Sequence, residues 1–467
     1  MIGNKITKNA RKIFAVTTIA IWSYILINQL GLEKIDIYNA WWGYSLTEII
    51  NMISNPADYQ NDIVAQEMIS SFTTSKYYSL LALLKSAGIA KSLTIQKVMT
   101  CLEVIVISIA GYLLPSIRKK EYRSVEGVIG MILISIGCTM TYGWGSWGWG
   151  LLGQTYIFPY AIWIFSAILA SQGRLRMAGV LQAIGAAIHP IIGLLSAIST
   201  IFIVITNKKR SVNQARKTAI IALLKDTSKI IGPTILYLAI TALTKDSPNA
   251  TIIDNIDFIK WTKSTSFHWY PWTEGLFKNS YSIIFPYTTI IFGAIVLDAY
   301  RTRDIEASNF LAKTYPTLIL ITVTSIAGVI ASELLYNQVL VKLAIFRISK
   351  LGLILAMPIY IEAFILMFED VRLAKQNNLK RRKIDAAKNY LTALAGTIYI
   401  ISSLFEIYLW PFLAMLGITL ACFSGREILT NKRGRNTLNR LSKMKTVLAI
   451  ALAITTITII LTTDSLL

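Results

Sequence analysis

The chain is 467 residues long, 54% hydrophobic and only 15% charged. Soluble chains carry about 25% charged residues, and outer-membrane barrels alternate polar and apolar residues along each strand; neither pattern is present. The formal charge of +21 suits the loops of a membrane protein under the positive-inside rule better than a nucleic-acid surface, so no nucleic-acid partner is expected.

Apolar runs of about 17–20 residues, the length that crosses a bilayer, recur from end to end. The predicted fold class is therefore an all-α polytopic membrane protein, a single transmembrane domain over 1–467. The N-terminus, "MIGNKITKNARK", places Lys5, Lys8, Arg11 and Lys12 ahead of the apolar run 13–30. No small-residue cleavage site follows, so this reads as an uncleaved anchor with a cytoplasmic N-terminus. A long loop, 31–93, comes next, with an amphipathic stretch near 76–92 predicted to lie along the membrane interface. Further spans are predicted at 94–115, 125–141, 156–171, 177–189, 190–206, 227–244, 281–299, 314–333, 350–368, 389–406, 409–424 and 446–463. That makes about thirteen transmembrane helices, including the first.

The charges agree with this alternation. "RKKEYR" (118–123), "GRLR" (173–176), "NKKRSVNQARK" (207–217), "RTRD" (301–304), "RLAKQNNLKRRK" (372–383) and "NKRGRNTLNRLSKMK" (431–445) all fall on the side of the N-terminus. The outer loops 31–93, 245–280 and 334–349 are poorer in Lys and Arg for their length. The three cysteines, Cys101, Cys138 and Cys422, lie in apolar runs without metal-ligand or disulfide spacing and read as inert core residues. No metal site is expected; a divalent cation is compatible with the acids but not required by them, and the cofactor is unknown.

The candidate chemistry collects on the outer side. The only two histidines are His189, in the turn "AAIHPIIG", and His268, in "SFHWYPW" with Trp269 and Tyr270 beside it. His189 reads either as a helix-end cap next to Pro190 or as a site residue, because ionisable groups near the bilayer are costly and usually functional. The aromatic residues around His268 suit an interfacial belt, which leaves the histidine itself unexplained. Asp58 and Asp62, in "PADYQND", are spaced i,i+4 and share one face if the segment is helical. Such a pair can divide base and acid roles or bind a divalent cation; the alternative is a solvated loop. In "LAIFRISK", Arg347 and Lys350 run against the positive-inside bias. They suit an anionic or phosphate subsite, with snorkelling at a helix end as the alternative. "YGWGSWGWGLLGQTY" (142–156) offers flat rings for sugars or for the headgroup region. Transporters place polar or ionisable groups at mid-membrane, and Glu103, Gln182 and Glu362 are the candidates for that use here. The basic-side loops offer nothing comparable, and no P-loop or dinucleotide fingerprint is present, so any reaction must use a pre-activated substrate.

Taken together, the first span, the long outer loop with "PADYQND", the "HPIIG" turn, the later "FHWYP" and the late "FRISK" resemble the GT-C superfamily of polytopic membrane glycosyltransferases. They come closest to an uncharacterised bacterial group of GT-C-like membrane proteins. That resemblance implies a GT-C-like bundle in the bacterial inner (plasma) membrane. It implies transfer of a sugar from a polyprenyl-phosphate-linked donor to a glycan or lipid acceptor at the outer face, in cell-surface polysaccharide biosynthesis. Asp58 or Asp62 would act as base, His189 and His268 would assist, Arg347 and Lys350 would hold the phosphate, and Trp269 and Tyr270 would contact the sugar. The single histidine and missing Arg in "TKSTSFHWY" depart from the group's pattern and put the role of His268 in question. An O-antigen or capsule polymerase shares the same donor, and a lipid-linked glycan or solute transporter is the reading from a different class.

Overall fold

The computed structural model describes residues 2–30, 46–136, 157–207, 216–244, 255–265 and 313–376 with a few interruptions, together with Tyr270 and scattered positions between 291 and 298. The predicted spans 389–406, 409–424 and 446–463 lie outside the described residues, as do His268, Trp269, Cys138, Cys422 and the Gly/Trp segment 142–156. Every regular element among the described residues is helical. In chain order the helices are α1 (Ile2–Leu30), α2 (Leu46–Ser54), α3 (Lys76–Ser86), α4 (Ser92–Leu113), α5 (Ser124–Ile136), α6 (Ile157–Ser171) and α7 (Leu175–Ile188). They continue as α8 (Pro190–Asn207), α9 (Arg216–Thr244), α10 (Asn255–Thr265), α11 (Tyr315–Leu334), α12 (Gln338–Leu343) and α13 (Ser349–Gln376).

Among the described residues, four helical segments are long and apolar enough to cross a membrane: Asn9–Asn28, Ser92–Ile117, Pro190–Asn207 and Tyr315–Leu334. They match four of the predicted spans and make this an α-helical membrane protein. The predicted span 177–189 is as short in the structure as in the sequence, while α9 differs from expectation. Helix α7 has 14 residues, about 21 Å at 1.5 Å per residue, short of a hydrocarbon core of about 30 Å. Helix α9 begins at Arg216, well before the predicted residue 227; Lys225, Asp226 and Lys229 lower the apolarity of its first half, and Asp226 and Lys229 pair at 2.8 Å.

The bundle is organised around α13. Residues 351–363 are buried without interruption, and a helix apolar all round belongs at the centre of a fold. Trp163 and Tyr160 of α6 are among the bulkiest fully buried side chains of the described residues and belong to the same cluster as Leu351, Ile354 and Ile361. Two close approaches need glycine. A side chain on Gly193 of α8 would strike the backbone of Ala186 in α7, and one on Gly328 of α11 would strike the backbone of Ile345 and Phe346. The first keeps the α7–α8 hairpin tight; the second draws the 3₁₀ turn Ile345–Ile348 against α11.

The two ends of the bundle differ. At the first-loop end, α2 and α3 form a small core (Ile50, Met52, Tyr78, Leu81) that closes over the starts of α4 and α6 and the end of α7. The stretch predicted to be amphipathic is α3: Tyr77, Tyr78 and Leu81 are buried while Leu80 and Leu83 are exposed. At the opposite, basic end, Arg11 of α1 shares a cleft with Lys119 and Arg123, and Arg174 precedes α7.

Candidate functional site

At the first-loop end, His189 ends α7 and begins α8. Its backbone N–H donates to Gly185 O at 2.9 Å, and Gly193 N–H donates to His189 O at the same distance. Its Nδ1 accepts from Ile192 N–H at 3.3 Å, so the ring serves as an N-cap for a helix that opens with proline. The cap is tied to the first loop, since Ser75 Oγ donates to Ile188 O at 2.5 Å. Burial, and then the nearby charge of Arg347, push the imidazole down from 6.5 to about 3. His189 is therefore neutral at physiological pH, able to donate or accept a hydrogen bond but not to supply a cation.

Arg347 is brought to this turn by unusual backbone. Helix α12 is capped by Asn337, whose Oδ1 accepts from Val339 and Leu340 N–H. It ends at Ala344 in the left-handed region, φ +43°, a conformation that costs a non-glycine residue about 1–2 kcal/mol. The chain then enters the 3₁₀ turn carrying Phe346, Arg347 and Ile348, all buried. Arg347 is 95% buried (5% exposed), and its Nε makes no hydrogen bond to a described residue. One turn on, Lys350 is equally buried, with its ammonium 5.9 Å from the centre of the Tyr160 ring. The structure thus gathers three predicted residues, His189, Arg347 and Lys350, at the first-loop end. Two are buried cations, which is not the geometry of snorkelling.

The other predicted residues are placed differently. Asp58 lies in the 3₁₀ turn Pro56–Tyr59, and Asp62 lies beyond a turn; both are exposed. They do not share one α-helical face, because Asp62 Oδ1 accepts from Ala65 N–H at 3.0 Å and starts the next helical turn as its cap. Tyr270 offers no open ring to a sugar. It is fully buried against Phe258, Ile259 and Val341, with its hydroxyl 2.6 Å from Thr262 Oγ1 and Lys263 over its ring at 5.4 Å. Burial, followed by Glu333, raises its phenol above the ordinary value.

The chain matches no family model, no curated protein and no solved structure. Its functional reading therefore rests on residues alone.

The basic end also holds an arrangement that the sequence reading passed over. Arg118, read there as one charge of a plain basic loop, is buried. Its Nη1 lies 2.7 Å from Asp298 Oδ1, its Nη2 donates to Glu362 Oε2 at 3.1 Å, and Nη1 also donates to Thr314 Oγ1. Asp298 Oδ2 in turn accepts from Thr314 N–H at 2.8 Å, Tyr315 N–H at 2.7 Å and the Thr314 hydroxyl at 3.1 Å, which caps α11. Lone acids in the predicted spans 281–299 and 350–368 were the signal for this cluster. Nothing in "RKKEYR" marks which cation answers them. A cleft of 350 Å³ lined by Arg11, Tyr122, Arg123 and Glu362 opens beside it. Among the described residues no group of acids, histidines and cysteines is arranged to hold a metal ion.

Proposed function

We propose that this is a membrane glycosyltransferase that takes a sugar from a polyprenyl-phosphate-linked donor and passes it to an acceptor at the first-loop end. That end is the outer face under the predicted topology, with the N-terminus cytoplasmic in a bacterial plasma membrane. The observation that carries the reading is the buried cation pair Arg347 and Lys350 beside neutral His189. Burying a cation inside a helical bundle is costly, and the guanidinium of Arg347, whose Nε makes no hydrogen bond to a described residue, suits a phosphate. In the reaction the phosphate is the leaving group, and preorganised cations stabilise the charge that develops on it. Neutral His189 adds a hydrogen bond to that oxygen without adding charge. His268, Trp269, Asp58 and Asp62 remain candidates for contacts with sugar or acceptor, and a polymerase joining oligosaccharide units would use the same donor site.

The test is binding of undecaprenyl phosphate to the purified full chain in nanodiscs, followed by sugar transfer in membranes of the source cell. Arg347→Gln is expected to weaken phosphate-lipid binding at least tenfold and to lower transfer in step. Unchanged binding in a folded Arg347→Gln protein would sink the reading. A transporter of lipid-linked glycan or solute draws on the Arg118–Asp298–Glu362 cluster, since buried charge near the opposite end is where a second gate would sit. Uptake of labelled lipid-linked sugar into vesicles without any change in its glycosidic bond would favour it.

A further inference from the structure

The exposed positions of Asp58 and Asp62 leave open which group takes the proton from the acceptor hydroxyl, and α4 supplies an answer. Gln96, Thr100 and Glu103 follow one another at intervals of four and three residues, so they stand on one face of the helix; all three are completely buried. From Gln96 to Glu103 this polar face descends about 10 Å at 1.5 Å per residue. Its upper end meets the first loop, where Gln96 Oε1 accepts from Thr47 N–H at 2.9 Å and from the Thr47 hydroxyl at 2.5 Å. Thr47 also lines an open cleft of 670 Å³ together with Asn51, Lys85, Lys91 and Ser92. The polar face therefore runs from a cleft on the first loop into the bundle.

Three donors along this path make no hydrogen bond to a described residue: Gln96 Nε2, Thr100 Oγ1 and the Tyr77 hydroxyl. Buried donors without partners are costly, and a native fold keeps a set of them where a hydroxyl-rich ligand or water completes the bonds. Tyr77 closes the path from α3. Burial first, and then the charge of Glu103, raise its phenol well above the ordinary value. The Tyr77 ring packs on Phe158 of α6 at 6.0 Å, and two residues further along α6 stands Tyr160, the ring that faces Lys350. Tyr77 and Lys350 thus pack on rings two residues apart in the first turn of α6.

We propose that the polar face of α4, capped by Tyr77, is the binding subsite for the hydroxyl-bearing acceptor, and that Glu103 is the carboxylate that accepts its proton. The inference rests on the transferase reading above. In the step, the acceptor O–H gives its proton to Glu103 and the acceptor oxygen bonds to the anomeric carbon. The bond from that carbon to the phosphate oxygen breaks, and its electron pair leaves on the phosphate, whose charge Arg347 and Lys350 answer. Glu103 returns the proton to water once the product has left.

The experiment compares Glu103→Gln, Glu103→Asp, Tyr77→Phe and Arg347→Gln in the full chain, with two readouts: binding of undecaprenyl phosphate in nanodiscs and sugar transfer in source-cell membranes. Glu103→Gln is expected to lower turnover about 10²–10⁴-fold, the usual weight of a general base, while phosphate-lipid binding stays within about twofold; Glu103→Asp recovers part of the turnover. Tyr77→Phe is expected to raise the acceptor KM several-fold with little change in kcat. Full transfer by Glu103→Gln alongside lost transfer by Arg347→Gln overturns this inference and leaves the transferase reading standing. Equal loss of phosphate binding and transfer in Glu103→Gln also overturns it, by showing a structural role. Wild-type membranes that transfer no sugar overturn both.

Discussion

Arg118 is the residue whose loss the fold should feel most sharply. Its side chain is 2% exposed, and its two carboxylate partners, Asp298 and Glu362, are 0% and 11% exposed. Arg118→Met keeps the length and removes the charge, which leaves two acids in the bundle without their cation. Removing one partner of a buried ion pair typically costs 3–5 kcal/mol. Asp298 retains its three donors at the start of α11, so the burden falls on Glu362, and a loss of about 3 kcal/mol is expected. Glu362→Gln keeps a hydrogen-bonding group and leaves Arg118 paired with Asp298, for a loss of about 1–2 kcal/mol. The double change Arg118→Met with Glu362→Leu removes the orphaned charge, and should recover at least about 1 kcal/mol over Arg118→Met alone. The assay is reversible unfolding of the purified protein by SDS in mixed micelles. An Arg118→Met protein within about 0.5 kcal/mol of wild type, well under the 3–5 expected of a broken buried pair, or a double variant no better than the single, would refute the reasoning.

Other outcomes follow from the backbone and the imidazole. Gly328→Ala should push the 3₁₀ turn off α11, costing about 1–3 kcal/mol as overpacking does and weakening phosphate-lipid binding through Arg347; the same two assays report it. Ala344→Gly relieves the left-handed strain and should raise the unfolding free energy by up to about 1 kcal/mol with binding intact. His189, held near 3 rather than 6.5, takes up its proton far more readily when unfolded. Its contribution to stability is complete above about pH 6.5 and drains as pH falls toward 3. His189→Asn should flatten that limb of the stability profile. Arg347→Gln should move the His189 titration upward, read by NMR of a chain that has only two histidines.

Much of the bundle was legible because its driving signal is local. Spans such as 190–206 and 314–333 declare themselves by length and apolarity, and the helices Pro190–Asn207 and Tyr315–Leu334 lie where those signals put them. Arg347 and Lys350 stood out because they oppose the charge bias around them. What the sequence withholds is pairing across distance. Arg118 meets Asp298 and Glu362 over separations of 180 and 244 positions, and its neighbours in "RKKEYR" look equally basic. Asp58 and Asp62 misled for the opposite reason: their spacing is local, but Pro56 and the capping bond of Asp62 break the helix that would have aligned them. Glu103 was visible as a lone acid in an apolar run; its company, Tyr77 from another helix, was not.

The short helix α7 has a consequence for depth. With Arg174 and Arg176 at one boundary of a hydrocarbon core of about 30 Å, a helix of about 21 Å stops roughly 9 Å before the other. The turn at His189 would then sit in a notch below the surface, and Ser75 reaches down to its last carbonyl. Irregular backbone at such a level survives only when protein or a wet cavity covers it, which is the place α2 and α3 occupy. A carrier lipid whose headgroup sinks a few ångströms into that notch would leave bulk water behind while its tail stayed in the leaflet. The low dielectric there would strengthen each charge contact it made.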